Sequence, residues 1–516
     1  ALFEFKKKQV IEYQAGEKSS CLVEADEEPP HEINQAALES AQLIALSLGA
    51  ELIDELHVMR KIVIDGSNTT GFQRTIMVAL GGELNVVKRK VKVQAVCLEE
   101  DAARLIGEWE KGLRFNLDRL CIPIVEVSLE PVEGSPQEIQ EIAFSLGRLM
   151  RMTGRVARGL GTIRQDLNIS LAGHGVVEIK GVQKLDLLSK VVEYEIKRQR
   201  ALLQISEKLR NKNVKSEEIG EPRDVTDLFK GSRNKVLNSV FQEKGVILSL
   251  RLPKFAGLLS HEPELGIRLG KEMAELVRFY GLGGIFHSDE LPIKSVTNEE
   301  ISELINKIGI DKDDAFVILA GGVDQAQAAA FALADRARAA ITGVPAETRS
   351  PTQEGTTRYS RPRPGAARMY PETDIPPMTL DPELVLKLGE QLPKSWEEQI
   401  QELEKNHGLS GKLSSQIIDS GYRVLLEKIA ASTKISPSFI AATLTETLVS
   451  LDREGGDLSK LEDNLLEEVF KKSSLGHMSK EAIPEVLREL SLGNYQNADE
   501  VIKKLGLKSF SDQDVR

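Results

Sequence analysis

Hydrophobic and polar positions alternate most cleanly over Lys90–Leu98. Val91, Val93, Ala95 and Cys97 fall on one side, and Lys90, Lys92 and Gln94 on the other. A period of two predicts a half-buried strand. Cys121–Leu129 is a second β-rich run, with Ile122, Ile124, Glu126 and Ser128 on one face and Val125, Val127 and Leu129 on the other. Between Ile163 and Gln183 the pattern predicts a hairpin. Gln165, Leu167, Ile169 and Leu171 face one way, and Arg164, Asp166, Asn168 and Ser170 the other. Gly173-His174-Gly175 then turns the chain into Val176–Val182, where Val177 and Ile179 oppose Glu178 and Lys180. A three-residue loop there pairs Ser170 with Glu178 and Asn168 with Lys180, which gathers the polar groups on one face.

Helical spacing predicts a helix over Ile33–Leu52, with Gly49 near its end, and a helix-like stretch over Ala102–Glu110. Ser135-Pro136-Gln137-Glu138 reads as a capped start for a helix running to about Gly154. Asp186 is the expected cap of a long helix to about Leu209. Strands Gly245–Leu250 and Ala315–Ala320 alternate with helices, the last being Asp324–Thr342, stopped by Gly343 and Pro345. The proline-rich stretch 351–377 reads as an ordered loop. From Pro382 onward short amphipathic helices dominate. The expectation is an α/β and α+β multidomain chain: a mixed-sheet part over 1–221, an α+β unit at 222–350, a returning segment at 351–390, and all-α domains over 391–516. No repeat period is evident.

The chain of 516 residues carries 67 basic and 79 acidic side chains, a net of −12. On average that argues against a nucleic-acid partner. The charge is uneven, however: residues 148–215 hold 15 basic and 6 acidic side chains. This block includes Arg148, Arg151, Arg155, Arg158 and Arg164, and a second cluster gathers Arg358, Arg361, Arg363 and Arg368. Such patches bind phosphates or form solvated helix faces. No apolar run reaches the length of a membrane span. Cys21, Cys97 and Cys121 show no ligand spacing, so a reducing, cytoplasmic compartment is expected. Ala1 followed by the strand-like Leu2–Phe5 argues against a signal peptide, and the chain reads as starting inside a longer product.

Phosphate-loop, zincin, dinucleotide and nucleophile-elbow motifs are all absent; Gly411-Lys412 is the nearest miss to a phosphate loop. Carboxylates carry more promise. Glu99-Glu100-Asp101 ends the first strand, either as acids favourable to a following helix start or as Mg²⁺ ligands. Glu126 lies within an apolar run and needs a partner, for which Glu99 or Glu100 is the candidate. The hairpin presents Arg164, Asp166, Asn168, Glu178 and Lys180 together, either as a solvated sheet face or as a site for metal, phosphate and a polar substrate.

These residues resemble the B/E-type subunits of the tRNA-dependent amidotransferases. The resemblance rests on Cys97-Leu98-Glu99-Glu100-Asp101-Ala102, Asn116-Leu117-Asp118-Arg119, Ile122-Pro123-Ile124-Val125-Glu126-Val127, Arg164–Ser170, Glu178-Ile179-Lys180 and Tyr370–Pro377. The segments Asp65–Arg74 and Cys21–His31, and the interruption at 222–350, are similar to the archaeal E branch. That interruption resembles the insertion domain of bacterial-type aspartyl-tRNA synthetases. The family opens with a Gly-Leu-Glu-Ile-His segment whose His is expected near the metal. This sequence begins downstream of it, which leaves the metal shell incomplete.

The resemblance implies a catalytic cradle that uses ATP and Mg²⁺ to convert Glu-tRNA(Gln) to Gln-tRNA(Gln) through a γ-phosphoryl glutamyl intermediate. It implies ammonia from an asparaginase-like D-type partner, in a hetero-oligomer with two copies of each subunit. Glu99 or Glu100 with Glu126 is then expected to bind Mg²⁺. Arg164 and Lys180 would neutralise phosphate, and Asp166, Asn168 and Glu178 would orient metal, water or ammonia. A non-catalytic tRNA-binding scaffold is the alternative.

Overall fold

The computed structural model describes the chain except residues 1–9, 18–19, 88, 110–111, 160, 172–173, 364–367 and 508–516. The strand expected at Leu2–Phe5 lies outside the described residues. A large antiparallel sheet runs in the order Pro123–Leu129, Arg89–Glu100, Phe72–Leu80, Val58–Ile62, Met369–Pro371. Helices Gln35–Ser47 and Pro136–Met152 cover one of its faces. Ile44 and Ala45 pack with Val91, Val93, Val96, Ile142 and Met150, and Leu38 and Ala41 pack with Ile76, Val78 and Leu98. At roughly 25 cal/mol per Å² of apolar surface removed from water, this layer is what holds the sheet. The other face carries polar side chains beside Cys97, Met77 and Ile124.

The second helix forms as its first residues dictate. Ser135 and Glu138 make a complete capping box, with Pro136 in the first turn. The first helix starts on an Asn34 cap and stops at Ser47, short of the expected Leu52. Gly49 adopts a left-handed conformation (φ 65°) that ends it, and Glu51–Leu52 pairs with Ala79–Leu80 as a strand.

The helix expected over Ala102–Glu110 is instead a strand, Arg104–Trp109. It pairs antiparallel with Gly112–Asn116, which lies parallel to Val10–Gln14. Leu105, Ile106 and Trp109 have helical spacing, but ladder partners on adjacent chain outweigh a local preference of tenths of a kcal/mol. The face assignment on Arg89–Glu100 also changes. Ala95 opposes Ser128 but Val93 opposes Leu129, so Gln94 is an extra residue. This bulge shifts the phase. Val96 and Leu98 join Val91 and Val93 in the core, and Cys97 turns to the opposite face.

A second, four-stranded sheet runs Gln165–Ile169, Val177–Val182, Glu347–Pro351, Thr357–Pro362, the middle pair being parallel. The hairpin and its polar face form as expected, but the register differs by two residues. Asn168 opposes Glu178, Ile169 opposes Val177, and the connecting loop is correspondingly longer. A shift of two preserves the faces, because side chains repeat every two residues. The 351–377 segment, expected as loop, supplies strands at Thr357–Pro362 and Met369–Pro371. Pro362 and Pro371 fall at strand ends, where a missing N–H is tolerated. Arg60 clasps the returning chain, donating to Glu372 (2.7 Å) and Asp374 (2.8 Å).

Between the halves of this second sheet, residues 223–342 build another sheet. Val246–Leu252 pairs with Ala315–Gly321, and helices Leu269–Phe279 and Val323–Thr342 pack on it. Helix Leu185–Asn211 joins both units. Its start carries Asp186 in the first turn, with Lys184 rather than Asp186 at the cap position. Leu188, Val191 and Val192 pack under Val177 and Ile179, while Ile205 and Leu209 enter the core of the 223–342 block.

At that junction lies a buried ion network. Arg198, fully buried, donates to Glu195 (2.8 Å), Glu272 (2.6 Å) and Glu347. Arg349 donates to Glu347 (2.9 Å), Glu275 (2.9 Å) and the Thr357 hydroxyl (2.8 Å). Burial raises the Glu272 carboxyl, but Arg198 and Arg349 outweigh it and hold the group well below the usual carboxylate range.

Part of the basic block is structural. The Arg148 guanidinium lies between the Phe144 ring (4.5 Å) and the Trp396 ring (4.2 Å) and donates to Asp419 (2.7 Å). Arg155 donates to Gln391 (2.8 Å); Arg158 pairs with Asp463 and stacks on Tyr422 (4.5 Å). These arginines bind the C-terminal helices, which run from Pro382 to Leu505. Further along the block Lys184, Lys190, Lys197, Arg200, Lys208, Arg210, Lys212 and Lys215 are exposed, as a solvated helix face would be.

Three outcomes are expected. Arg198→Met should cost about 3–5 kcal/mol in denaturant unfolding at neutral pH, because it strands three buried carboxylates. The Glu272 contribution is present above the unfolded carboxylate pKa and is lost as pH falls through the depressed folded value. Acid titration of wild-type stability should therefore show a loss that Glu272→Gln lacks. Trp396→Ala should weaken the hold on the C-terminal helices by about 1–2 kcal/mol, read as faster amide exchange over 396–420 with the large sheet unchanged.

Candidate functional site

The uncovered face of the large sheet sets the first wall of the site. The ladders place Lys61, Thr75, Glu99, Cys97, Ile124 and Glu126 on it, since Glu99 opposes both Thr75 and Ile124, and Cys97 opposes Glu126. Glu99 accepts from Lys61 Nζ and from the Thr75 hydroxyl, each at 3.1 Å. The Gln94 bulge is what turns this face of the strand away from the core.

Glu100 points the other way. Its carboxylate takes a two-pronged bond from Arg74 (2.9 Å from Nε), and Arg74 also donates to the His31 carbonyl. Adjacent residues of a strand face opposite sides, so Glu99 is the partner for Glu126 and Glu100 is an anchor for Arg74. Glu99, Glu100, Arg74, Cys121 and the start of helix 35–47 line a cavity of about 190 Å³.

The polar face of the second sheet forms the opposite wall. Lys180 Nζ lies 3.0 Å from Asp166 and 3.1 Å from Glu178. Asp166 also accepts from the Gly181 N–H at 2.8 Å. Gly181, at φ 77°, is the extra residue of a bulge opposite Asp166, a conformation suited to glycine. Glu178 accepts from the Thr348 hydroxyl at 2.9 Å, and Asn168 sits in register on its other side. Arg164 reaches across to Asp101 (3.3 Å), which also pairs with Arg119 (3.1 Å).

Electrostatics show that the two walls converge. Loss of solvent raises the Glu126 carboxyl above the usual carboxylate value; Glu99 raises it further, and Lys61 and Lys180 offset part of this. Burial works against the Lys180 charge, but Asp166 and Glu178 prevail and hold its pKa above the ordinary lysine value. The Cys97 thiol is pushed up to about 11 by burial and by Glu126 and Glu99. It stays protonated at neutral pH and is no nucleophile.

The structure therefore brings together Glu99, Glu126, Asp166, Asn168, Glu178 and Lys180, with Arg164 at the edge. It leaves Glu100 outside. Sequence reasoning missed Lys61, Thr75 and Thr348. Thr348 was legible only as a polar residue between Glu347 and Arg349, on a strand separated from its neighbour by the whole 223–342 block.

Two carboxylates on adjacent strands, repelling one another, suit a divalent cation. Mg²⁺ takes one or two protein carboxylates and completes its shell with water and phosphate oxygens. Among the described residues no group of three protein donors closes a metal shell. Glu99 and Glu126 fit that open kind of site.

Comparison with known proteins is consistent with these features. Residues 6–386 match the family model of the GatB/GatE catalytic domain, and 424–515 match that of the GatB domain. The E-type subunit of the glutamyl-tRNA(Gln) amidotransferase of Aeropyrum pernix is 44% identical over 100% of this chain and 81% of its own length. That of Methanocaldococcus jannaschii is 42% identical over 100% of this chain and 82% of its own. With most of the chain under one family model and near-complete alignment to such relatives, the chain belongs to the family of E-type subunits of the glutamyl-tRNA(Gln) amidotransferase enzymes.

Proposed function

We propose that this protein amidates Glu-tRNA(Gln) to Gln-tRNA(Gln) at the cleft between the two sheets, at the expense of ATP. The observation that carries the reading is the pair Glu99 and Glu126 opposed by Lys180 and Asp166, two charge signs converging on one cleft. In this reading the glutamyl side-chain carboxylate attacks the terminal phosphoryl group of ATP, the bond to the β-phosphate breaks and ADP leaves. Ammonia then displaces phosphate from the γ-phosphoryl glutamyl intermediate. Both reactants are anionic, so the chain's main task is to hold them in line against repulsion.

Lys180 and Arg164 neutralise phosphate charge. Asp166 and Glu178 keep Lys180 protonated and fix its position, and Asn168 hydrogen-bonds the incoming group. Glu99 and Glu126 would hold Mg²⁺, which when bound spreads the phosphate charge. Lys61 and Thr75 fix the Glu99 carboxylate for that purpose. Ammonia would come from an asparaginase-like D-type partner, in a hetero-oligomer with two copies of each subunit. Residues 222–350 are assigned as the aspartyl-tRNA synthetase-like insertion, 1–221 and 351–390 as the cradle, and 391–516 as helical and tail domains. No helix among the described residues is long and apolar enough to cross a membrane, and the cytoplasm is the assigned compartment.

ATP-dependent formation of Gln-tRNA(Gln) from free ammonium tests the reading and separates it from a tRNA-binding scaffold, which would give no product. Glu126→Gln should lower that rate at least about 100-fold with tRNA binding unchanged; full activity would sink the assignment. Thr348→Val should cost about 10-fold in kcat, and Thr348→Ser should restore it, because the serine hydroxyl can still orient Glu178.

A further inference from the structure

The strand Thr357–Pro362 carries an arginine that the proposed chemistry leaves idle. In its ladder with Glu347–Pro351, Thr348 opposes Arg361 and Arg349 opposes Tyr359, so Ser360 is an extra residue with no opposite number. On an unbulged strand Arg361 would share the face of Tyr359, two residues away. Tyr359 packs edge-on against Phe279 (5.7 Å) in the core of the 223–342 block. The bulge turns Arg361 to the cleft face instead. There it completes a row in register across all four strands: Asn168, Glu178, Thr348, Arg361. Bulges next to active sites commonly serve to re-aim a side chain.

Arg361 is also a cation without a firm partner. Its nearest carboxylate among the described residues is Asp65 at 3.8 Å, well beyond the 2.7–2.9 Å of a charge-assisted bond. Asp65 is already engaged, accepting from the Ser67 N–H (3.0 Å) and hydroxyl (2.6 Å). The Arg361 side chain is 33% exposed. Arg60, Arg74 and Arg114, on the neighbouring sheets, each grip a carboxylate through two nitrogens. Arg361 has the same fork with nothing in it. Asp65 follows the strand that carries Lys61, so the weak pair spans the cleft beside the Glu99 wall.

We infer that Arg361 is a phosphate-binding residue, gripping the phosphate chain of the nucleotide through its two-pronged guanidinium. The inference rests on the reading of this cleft as an ATP-using site. A phosphate oxygen pair matches the planar fork as a carboxylate does, and displaces only the long contact to Asp65.

Direct titration of Mg·ATP into the full chain without tRNA tests it, with tRNA binding and thermal stability measured in parallel. Arg361→Gln should weaken ATP binding by about 10- to 100-fold, and Arg361→Lys by less, since lysine keeps the charge and loses the fork. Stability and tRNA affinity should not move. Wild-type binding of ATP with equal affinity in Arg361→Gln would overturn the assignment and leave the reading of the cleft intact. Weakened tRNA binding with unchanged ATP affinity would overturn it in favour of an RNA contact. Absence of ATP binding in the wild type would overturn the reading of the cleft itself. Should Arg361→Gln unfold, Arg361→Lys decides: unaltered ATP affinity in that variant overturns the two-pronged grip.

Discussion

Glu347 is held from behind by two buried arginines, and the cleft depends on it. The strand Glu347–Pro351 arrives after the whole 223–342 block and must lie parallel to Val177–Val182, with Thr348 beside Glu178. Parallel neighbours have no tight turn to set their register. Here Arg198 and Arg349 set it from the back, by binding Glu347 together with Glu272 on a helix of the inserted block. Such a network gains little net stability over apolar packing, but its geometry is demanding. It allows one alignment of helix 185–211, helix 269–279 and the returning strand. The front of that strand then presents Thr348 to Glu178, and Glu178 to Lys180.

The opposite wall depends on a different device. An antiparallel sheet covered by helices on one side has a polar face available for chemistry, but only if the phase of each strand is right. The Gln94 bulge sets it for Glu99, the Gly181 bulge lets Lys180 face the cleft while Val182 stays buried, and the Ser360 bulge places Arg361. Each inserts one unpaired residue into a ladder. The Gly181 and Ser360 bulges lie in the sheet that walls the cleft, while Gln94 acts from further along its strand.

Charge serves two ends in this chain. In 148–158 arginines clamp the C-terminal helices through aromatic rings and carboxylates, whereas in 164–180 charge faces the cleft. Both belong to one basic block by sequence. Only partners distant in the chain, such as Asp419, Trp396 and Asp463, distinguish glue from site.

Period and capping in the sequence alone determined the helix at Ser135, the strands around Val91 and Val125, the polar hairpin face and the helical C-terminal part. Those features follow from local contacts a few residues apart. Glu126, Asp166, Asn168, Glu178 and Lys180 were legible as well, because their faces repeat every two positions, whereas Glu99 was legible only as one of three acids that end its strand. The tertiary structure decided the rest. It chose Glu99 over Glu100, shifted the hairpin by two residues, made a strand of Arg104–Trp109, and added Lys61, Thr348 and Arg361 to the cleft. A bulge leaves no mark in the alternation of a single strand. It exists only relative to a partner strand, and that partner is chosen when the sheet is assembled.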